Sequence, residues 1–245
     1  MNAPSSRPRG IALIELLVGL TVGLLVVAAA LGTLAASRGA SAAASDVAQL
    51  QQQAAYALRV IGEQLRQAGA VEPVYGEPNQ RFSFKAGDAG TSAVSGSEGG
   101  AAADVLNTSA AASTLPVATR PRDCLGNVVT GVVENQFSLR GGELFCQGST
   151  GTPQALIQNV ADFQVLYRVK SGTGMRVMDA GAVASAQRWS GVVAVEVCLD
   201  MQGTEVLPDA DIHYIDCQGA SRRRDGHAHL VYRNVYNIRP GGEAS

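Results

Sequence analysis

The sequence is poor in the residues on which most catalytic sites depend. Of its 245 residues only 3 are histidine, 5% are aromatic and 16% are charged. It has no G-x-S-x-G nucleophile elbow, no P-loop and no dinucleotide fingerprint. We therefore predict that the protein is not an enzyme and needs no cofactor.

Charge patterning gives no sign of a nucleic-acid partner. The 19 Lys and Arg residues are balanced by 21 Asp and Glu residues, for a formal net charge of −2. Phosphate binding requires clustered basic residues. The one dense basic run, the three arginines at 222–224, is followed at once by Asp225, so we interpret it as a solvated turn. No specific nucleic acid is predicted.

Metal ligands are also scarce. His227 and His229 are separated by one residue, so on a strand their side chains would lie on the same side and could both bind a metal ion. No third ligand follows at a suitable spacing. We favour an exposed loop that enters the last strand. Asp209 and Asp211 offer oxygen ligands for calcium, yet no calcium-loop motif accompanies them. No metal site is predicted.

Cysteine is absent from the first half of the chain, and the four that follow point to disulfides. Their separations match neither C-x-x-C redox pairs nor zinc knuckles. Three pairings are possible. The sequential one, Cys124 with Cys146 and Cys198 with Cys217, closes two short loops, each contributing about 3 kcal/mol in the chain-entropy model. Disulfides imply an oxidising compartment.

The N-terminal region contains a long apolar segment. Over residues 11–36 the only charged side chain is Glu15, and at about 1.5 Å per residue a helix of this length exceeds the ~30 Å hydrocarbon core. Residues 1–10 form a polar leader that carries Arg7 and Arg9, which keep this end in the cytoplasm by the positive-inside rule. The rest of the chain is expected to be exported.

An ordinary cleaved signal peptide is the first alternative, with a cleavage site near the alanines at 28–30. Its apolar stretch is shorter, about 7–15 residues, and it has no use for an intramembrane carboxylate, which is stable only when paired. A plain membrane anchor with one interfacial Glu is the second alternative.

Residues 9–17, Arg-Gly-Ile-Ala-Leu-Ile-Glu-Leu-Leu, resemble the processing site of type IV prepilins. The resemblance implies that a prepilin peptidase cuts between Gly10 and Ile11 and methylates the new amino terminus on Ile11. Ile11 departs from the usual Phe at this position. Glu15 then becomes the fifth mature residue, and its natural partner is the positive amino terminus of a neighbouring subunit's helix, a pairing that sets register on assembly.

Residues 37–69 continue the helix as an amphipathic segment that ends at Gly69, a favoured C-terminal cap. Its apolar stripe recurs at steps of three and four residues: Val47, Leu50, Ala54, Leu58, Ile61, Leu65 and Ala68. Its polar face carries Gln51, Gln52, Arg59, Glu63 and Arg66. The stripe requires a sheet to pack against.

Residues 70–245 form a β-rich head in this interpretation. The stretch at 86–113 is mostly Gly, Ala and Ser, so we predict a flexible loop there, interrupted by a short strand near Asp104, Val105 and Leu106. Alternation and turn residues predict the further strands 135–139, 143–147, 163–169, 192–199 and 230–238. The predicted fold class is α+β, one long N-terminal helix on an antiparallel sheet, as in pilins.

The head resembles PilW-type minor pilins in the order of several short segments. They are residues 104–106, 123–126, 144–146, 160–167, Trp189 before 192–193, and 231–237. The resemblance implies a structural subunit that primes type IV pilus assembly and lies near the fibre tip. A minor pseudopilin of a type II secretion system shares the leader and helix and is the main alternative. A receptor or enzyme domain on a plain membrane anchor is the other.

The same resemblance implies partners and location. The partners are other minor pilins, the major pilin, prepilin peptidase, the inner-membrane assembly platform and membrane lipid. The chain is then a single-pass inner-membrane protein with a cytoplasmic N-terminus and a periplasmic head, and later a component of the pilus at the cell surface.

Overall fold

The computed structural model describes residues 13–70, 72–74, 83–85, 92–100, 102–111, 121–172, 174–207 and 211–238. The chain divides into two compact units, Met1–Ser45 and Asp46–Ser245. The second unit, which contains all of the described strands, is called the head below.

One long helix, α1, covers Leu13–Gln67, so the predicted helix is confirmed over its described part. It ends where the sequence placed the end. Gly69 adopts φ 72°, a left-handed conformation that glycine takes without steric cost. The Gly69 N–H donates to the Ser109 carbonyl at 3.0 Å, so the end of the helix is tied to a strand of the head.

The head contains thirteen described strands and two short helical segments. In chain order these are β1 (Glu72–Val74), β2 (Ser83–Lys85), β3 (Val94–Ser97), β4 (Val105–Ala111), β5 (Val132–Arg140), β6 (Glu143–Gln147), β7 (Gln154–Ile157), β8 (Val160–Ser171), β9 (Gly174–Met178), α2 (Ala180–Ser185), a 3-10 turn (Trp189–Gly191), β10 (Val192–Gln202), β11 (His213–Ile215), β12 (Ser221–Arg223) and β13 (His229–Asn237).

All strand pairings in the described residues are antiparallel. A five-stranded sheet has the order β3-β4-β5-β6-β7, and a four-stranded sheet has the order β13-β10-β8-β9. Two small hairpins, β1-β2 and β11-β12, complete the head. The predicted α+β class, a long N-terminal helix on antiparallel sheets, is confirmed.

The amphipathic part of α1 packs into the core of the head. The buried stripe is the one that the periodicity predicts, with Ala57 added and Val47 only half-buried: Leu50, Ala54, Ala57, Leu58, Ile61, Leu65 and Ala68. The stripe belongs to one buried cluster with the rings of Phe137, Phe163 and Tyr167. The predicted polar face is exposed throughout.

A buried amide fixes α1 to the five-stranded sheet. The Asn135 Nδ2 donates to Gln64 Oε1 of the helix at 2.9 Å and to Thr108 Oγ1 of β4 at 3.1 Å. The Asn135 Oδ1 accepts from the Cys124 N–H at 2.7 Å. Because each partner is itself buried or in the backbone, this network restricts how the helix can pack.

The prediction of a flexible loop over 86–113 was wrong where the structure describes this stretch. β3 and β4 lie here as paired strands, and Leu106, Thr108 and Ala110 are buried. The small residues have a packing reason, since a Cβ on Gly96 would collide with the Tyr167 hydroxyl and the Val105 carbonyl. Residues 86–91, 101 and 112–113 lie outside the described residues. The remaining predicted strands are confirmed, most of them longer than expected.

Gly62 of α1 lies against the ring of Tyr236 on β13. A Cβ there would collide with the ring of Tyr236, whose hydroxyl donates to the Leu58 carbonyl at 2.7 Å. We expect Gly62→Ala to lower the free energy of unfolding by about 1–3 kcal/mol through overpacking, measured by urea unfolding of the detergent-solubilised chain. Gly39→Ala, with no atom of the described residues within 4 Å of the added methyl, is the matched control. Equal stability of the two variants would contradict the prediction.

Candidate assembly site

The first unit presents an apolar helix with no partner in the described chain. Its large apolar side chains are 47–77% exposed between Leu13 and Leu34. The most apolar 18-residue window of α1 has a mean hydropathy of 2.5, which by length and composition is enough to cross a membrane. A helix that is apolar on all sides is stable only where lipid or other protein covers it.

Glu15 lies in the first turn of α1 and is exposed in the isolated chain. The adjacent helix N-terminus, with its unpaired N–H groups, favours a negative charge there. Leu13, Ile14, Leu16 and Leu17 around it are more than half exposed, so the described neighbours of Glu15 in the sequence are apolar. The predicted cleavage site, Gly10 and Ile11, and the predicted methylation site on Ile11 lie outside the described residues.

The polar side chains of this segment do not interrupt its apolar surface. The hydroxyls of Thr21 and Thr33 each donate to a carbonyl three residues earlier, at 2.9 Å, which satisfies them inside the helix. Nothing in the described part of the chain lies within 4 Å of a Cβ placed on Gly19 or Gly23. This pair was not predicted from the sequence, although the G-x-x-x-G spacing at 19–23 is a signal of close helix packing in membranes.

The structure joins the four cysteines in the sequential pairing. Cys124, before β5, is bonded to Cys146 on β6, with a Cα–Cα distance of 6.4 Å. Cys198 on β10 is bonded to Cys217 between β11 and β12, with a Cα–Cα distance of 5.7 Å. The second bridge links β10 of the four-stranded sheet to the β11-β12 hairpin. We call residues 199–216, which it encloses, the disulfide loop.

Asp46 ties the disulfide loop to α1. Its carboxylate accepts from the Thr204 N–H at 3.1 Å, the Thr204 hydroxyl at 3.1 Å and the Glu205 N–H at 3.3 Å. Asp46 is only 8% exposed, and a Cβ on Gly203 would collide with it. Three donors on one buried carboxylate hold this part of the loop in one position. Nothing in the sequence pattern indicated the role of Asp46.

His229 lies between two carboxylates at the base of the disulfide loop. Its side chain is only 6% exposed. Its Nδ1 is 3.0 Å from Asp200 Oδ1 and its Nε2 is 3.4 Å from Asp225 Oδ1. The ring of Tyr214 stacks on the imidazole at 4.3 Å and its hydroxyl donates to Asp200 Oδ2 at 3.0 Å. Both ring nitrogens therefore need a proton to meet their acceptors, which requires the imidazolium form.

The pKa values follow from this geometry. The hydrogen bond to Asp200 raises the pKa of His229 above its ordinary value, and the charges of Asp200 and Asp225 act in the same direction while burial opposes them. Burial raises the pKa of Asp225, but the hydrogen bond and charge of His229 outweigh it, so the net pKa is lowered. The expectation of an exposed loop was wrong for His229, because its imidazole is buried in ion pairs with Asp200 and Asp225.

The arginine run was also misread. Residues 221–223 form β12 and pair with β11, so the predicted solvated turn is a strand. Arg222 Nε donates to Asp216 Oδ2 at 2.8 Å. Asp211 is 79% exposed and ion-paired with Arg223 at 3.6 Å, while Asp209 lies outside the described residues. Within the described chain no three His, Cys, Asp or Glu side chains are grouped as metal ligands.

Comparison with known proteins finds likeness only among solved structures. No family model and no curated protein sequence matches the chain. A type IV-like pilin, TTHA1219 from Thermus thermophilus, is similar over 79% of this chain and 97% of that chain, with 12% sequence identity and a TM-score of 0.48. The GspK-GspI-GspJ complex of the type 2 secretion system of enterotoxigenic Escherichia coli is similar over 75% of this chain and 94% of that chain, with 14% identity and a TM-score of 0.34.

Proposed function

We propose that the protein is a structural subunit of a type IV pilus-type filament and catalyses nothing. The observation that carries the proposal is the exposed apolar helix of the first unit with a single carboxylate, Glu15, in its first turn. Such a helix needs a hydrocarbon environment, and such a carboxylate needs a cation there. A bundle of like subunits supplies both, since each processed amino terminus carries a positive charge.

The proposed life cycle follows the resemblance of residues 9–17 to prepilin processing sites. The precursor is a single-pass inner-membrane protein with its N-terminus in the cytoplasm and its head in the periplasm. Prepilin peptidase removes residues 1–10 and methylates Ile11. The assembly platform then moves the subunit from lipid into the filament, where its partners are the major pilin and other minor pilins. The finer role is that of a PilW-type minor pilin, which primes the fibre and stays near its tip.

The disulfides of the head support an extracytoplasmic location. All four cysteines are in disulfides, which persist in an oxidising compartment. One bridge closes the disulfide loop, and Asp46 anchors the same loop to α1. A head held by covalent and buried polar ties keeps its surface in one shape, which a subunit that docks against several neighbours requires.

The mass of the mature chain tests the proposal. The protein purified from membranes of cells that contain prepilin peptidase is expected to begin at Ile11 and to carry one added methyl group. Its mass is then lower than that of the chain from cells that lack the peptidase, by the mass of residues 1–10 less one methyl group. Gly10→Ala serves as the processing-defective control. A chain that still begins at Met1, or one cut near Ala30, would overturn the proposal and leave a plain anchor or an ordinary signal peptide.

Deletion of the gene separates the finer roles. A pilus-priming subunit is needed for surface pili, whereas a pseudopilin of type II secretion is needed for release of secreted proteins. Loss of sheared pili with unchanged secretion is the result expected here. The opposite result would assign the chain to a pseudopilus and overturn the priming role.

A further inference from the structure

The four-stranded sheet of the head ends in an edge strand that no described strand covers. β13 pairs with β10 on one side only. An uncovered strand edge presents a row of backbone donors and acceptors to any extended chain that reaches it. With nine residues, His229–Asn237, this edge is longer than the ordinary strand of five or six residues.

The register shows which backbone groups face outward. The Ile238 N–H donates to the carbonyl of Val193 on β10 at 3.0 Å. In an antiparallel pair, successive residues of a strand direct their N–H and C=O groups alternately toward the paired strand and away from it. The even-numbered residues of β13 therefore bond to β10. The N–H and C=O groups of Val231, Arg233, Val235 and Asn237 face the open edge.

A charged side chain on an edge strand usually prevents another strand from pairing with it, but the one on β13 is bonded to another part of the head. Arg233 is the only charged residue in the exposed half of β13. Its guanidinium donates to the carbonyls of Cys217, at 3.1 Å, and of Asp216. The side chain is thus held on the disulfide loop of its own chain, and the open edge keeps no mobile charge of its own to repel an added strand.

A preformed groove runs between this strand and α1 and encloses about 450 Å³. The helix side contributes Gln51, Ala55, Leu58, Arg59 and Arg66, and the strand side contributes Tyr232, Arg233, Asn234 and Tyr236. Tyr236 is fixed in place by its bond to the Leu58 carbonyl and by its fit against Gly62. The groove exists before any partner binds, so little ordering is needed on docking.

The groove is positively charged. Arg59 and Arg66 lie on one exposed face of α1, and only Arg59 has a carboxylate partner, Glu63 at 3.1 Å. Arg66 forms no ion pair with any residue that the structure describes. A guanidinium at a groove beside open backbone groups favours a carboxylate on the chain that binds there.

We propose that the β13 edge and the α1 groove bind an extended acidic segment of a neighbouring subunit, which adds as a further strand to the four-stranded sheet. The added strand bonds to the outward groups of Val231, Arg233, Val235 and Asn237. Every second side chain of that strand lies over the groove, where a carboxylate meets Arg66. Backbone bonding gives affinity and the arginine selects charge.

The statement that the partner is a neighbouring subunit rests on the proposed function. The statement that the edge binds an acidic strand does not. The edge can bind an acidic strand even if the leader is never removed, and the leader can be processed even if the edge binds nothing. The two proposals therefore fail separately.

The experiment uses the full chain in detergent and two labelled probes, a short peptide of alternating Glu and Val and the same peptide with Lys for Glu. Fluorescence anisotropy is expected to show saturable binding of the acidic peptide alone. Arg66→Glu is expected to weaken this binding about tenfold or more. Arg176→Glu, an exposed arginine on β9 at the other edge of the same sheet, is the matched control and is expected to bind as the unmodified chain does.

Hydrogen exchange locates the peptide. In the free protein the amides of Arg233, Val235 and Asn237 are expected to exchange faster than those of Asn234 and Tyr236, which already bond to β10. Bound acidic peptide is expected to slow the first group. Equal binding of both peptides, no effect of Arg66→Glu, or protection at β9 in place of β13 would each overturn the proposal.

Discussion

Replacing Glu15 with alanine is expected to leave the subunit in the membrane and to exclude it from filaments. The carboxylate is the only charged group of the apolar segment, and its proposed partner is the amino terminus of a neighbouring helix in a low-dielectric environment. Removal of one member of a buried ion pair costs about 3–5 kcal/mol, which lowers the association constant by more than about 100-fold. Membrane insertion depends on the apolar side chains and is unaffected.

The measurement is the ratio of the subunit in the sheared surface fraction to that in the membrane fraction, by immunoblot, in cells that carry the remaining subunits. Glu15→Gln, which keeps the size of the side chain and removes its charge, is expected to behave as Glu15→Ala does. Glu134→Ala is the control, because Glu134 is an exposed carboxylate on β5, outside the apolar segment and the α1 groove. Unchanged incorporation of Glu15→Ala would contradict the pairing role.

Replacing His229 with glutamine is expected to destabilise the head by about 3 kcal/mol. The substitution leaves Asp200, whose side chain is 3% exposed, without its cation. It also removes the ring on which Tyr214 stacks. The free energy of unfolding from urea titrations measures the effect. His213→Gln is the matched control, because His213 is half-exposed and 3.9 Å from the exposed Asp211, and its loss is expected to cost under about 0.5 kcal/mol.

The effect of His229 is expected to depend on pH in one direction. The folded pKa of His229 is raised above its unfolded value, so its contribution to stability is fully present below about pH 6.5 and is lost as the pH rises through the folded pKa. The stability difference between the unmodified chain and His229→Gln is therefore largest near pH 6 and shrinks at alkaline pH. A difference that is constant with pH would show that His229 is not the imidazolium that its two carboxylates require.

Helical periodicity was enough to predict how α1 packs. Leu50, Ala54, Ile61 and Leu65 recur at steps of three and four residues, and all are fully buried. Gly69 ends the helix because its left-handed backbone is accessible to glycine at no cost. The stripe and the end of the helix depend on residues that are close together in the chain, so they can be predicted from the local sequence pattern.

The hydrophobic periodicity did not predict the full extent of the strands in which small side chains are buried. β4 contains Asn107, Thr108, Ser109 and two alanines, a composition typical of loops, yet every second residue is buried. Gly96 of the neighbouring strand β3 shows the same dependence on a large partner, because the Tyr167 hydroxyl lies directly over it. A strand made of small residues is stable only because bulky residues far away in sequence cover it, and the local composition does not reveal them.

The sequence by itself determined the long helix, its apolar first part with Glu15, the apolar stripe and most strands of the head, because each of these depends on residues within a few positions of one another. Only the tertiary structure decided that His229 is buried between Asp200 and Asp225, that Asp46 anchors the disulfide loop, and that β13 is left as an open edge beside the arginines of α1. Charge pairing and sheet order join residues that are remote in the chain. Their free energies depend on burial and distance, which exist only once the chain has folded.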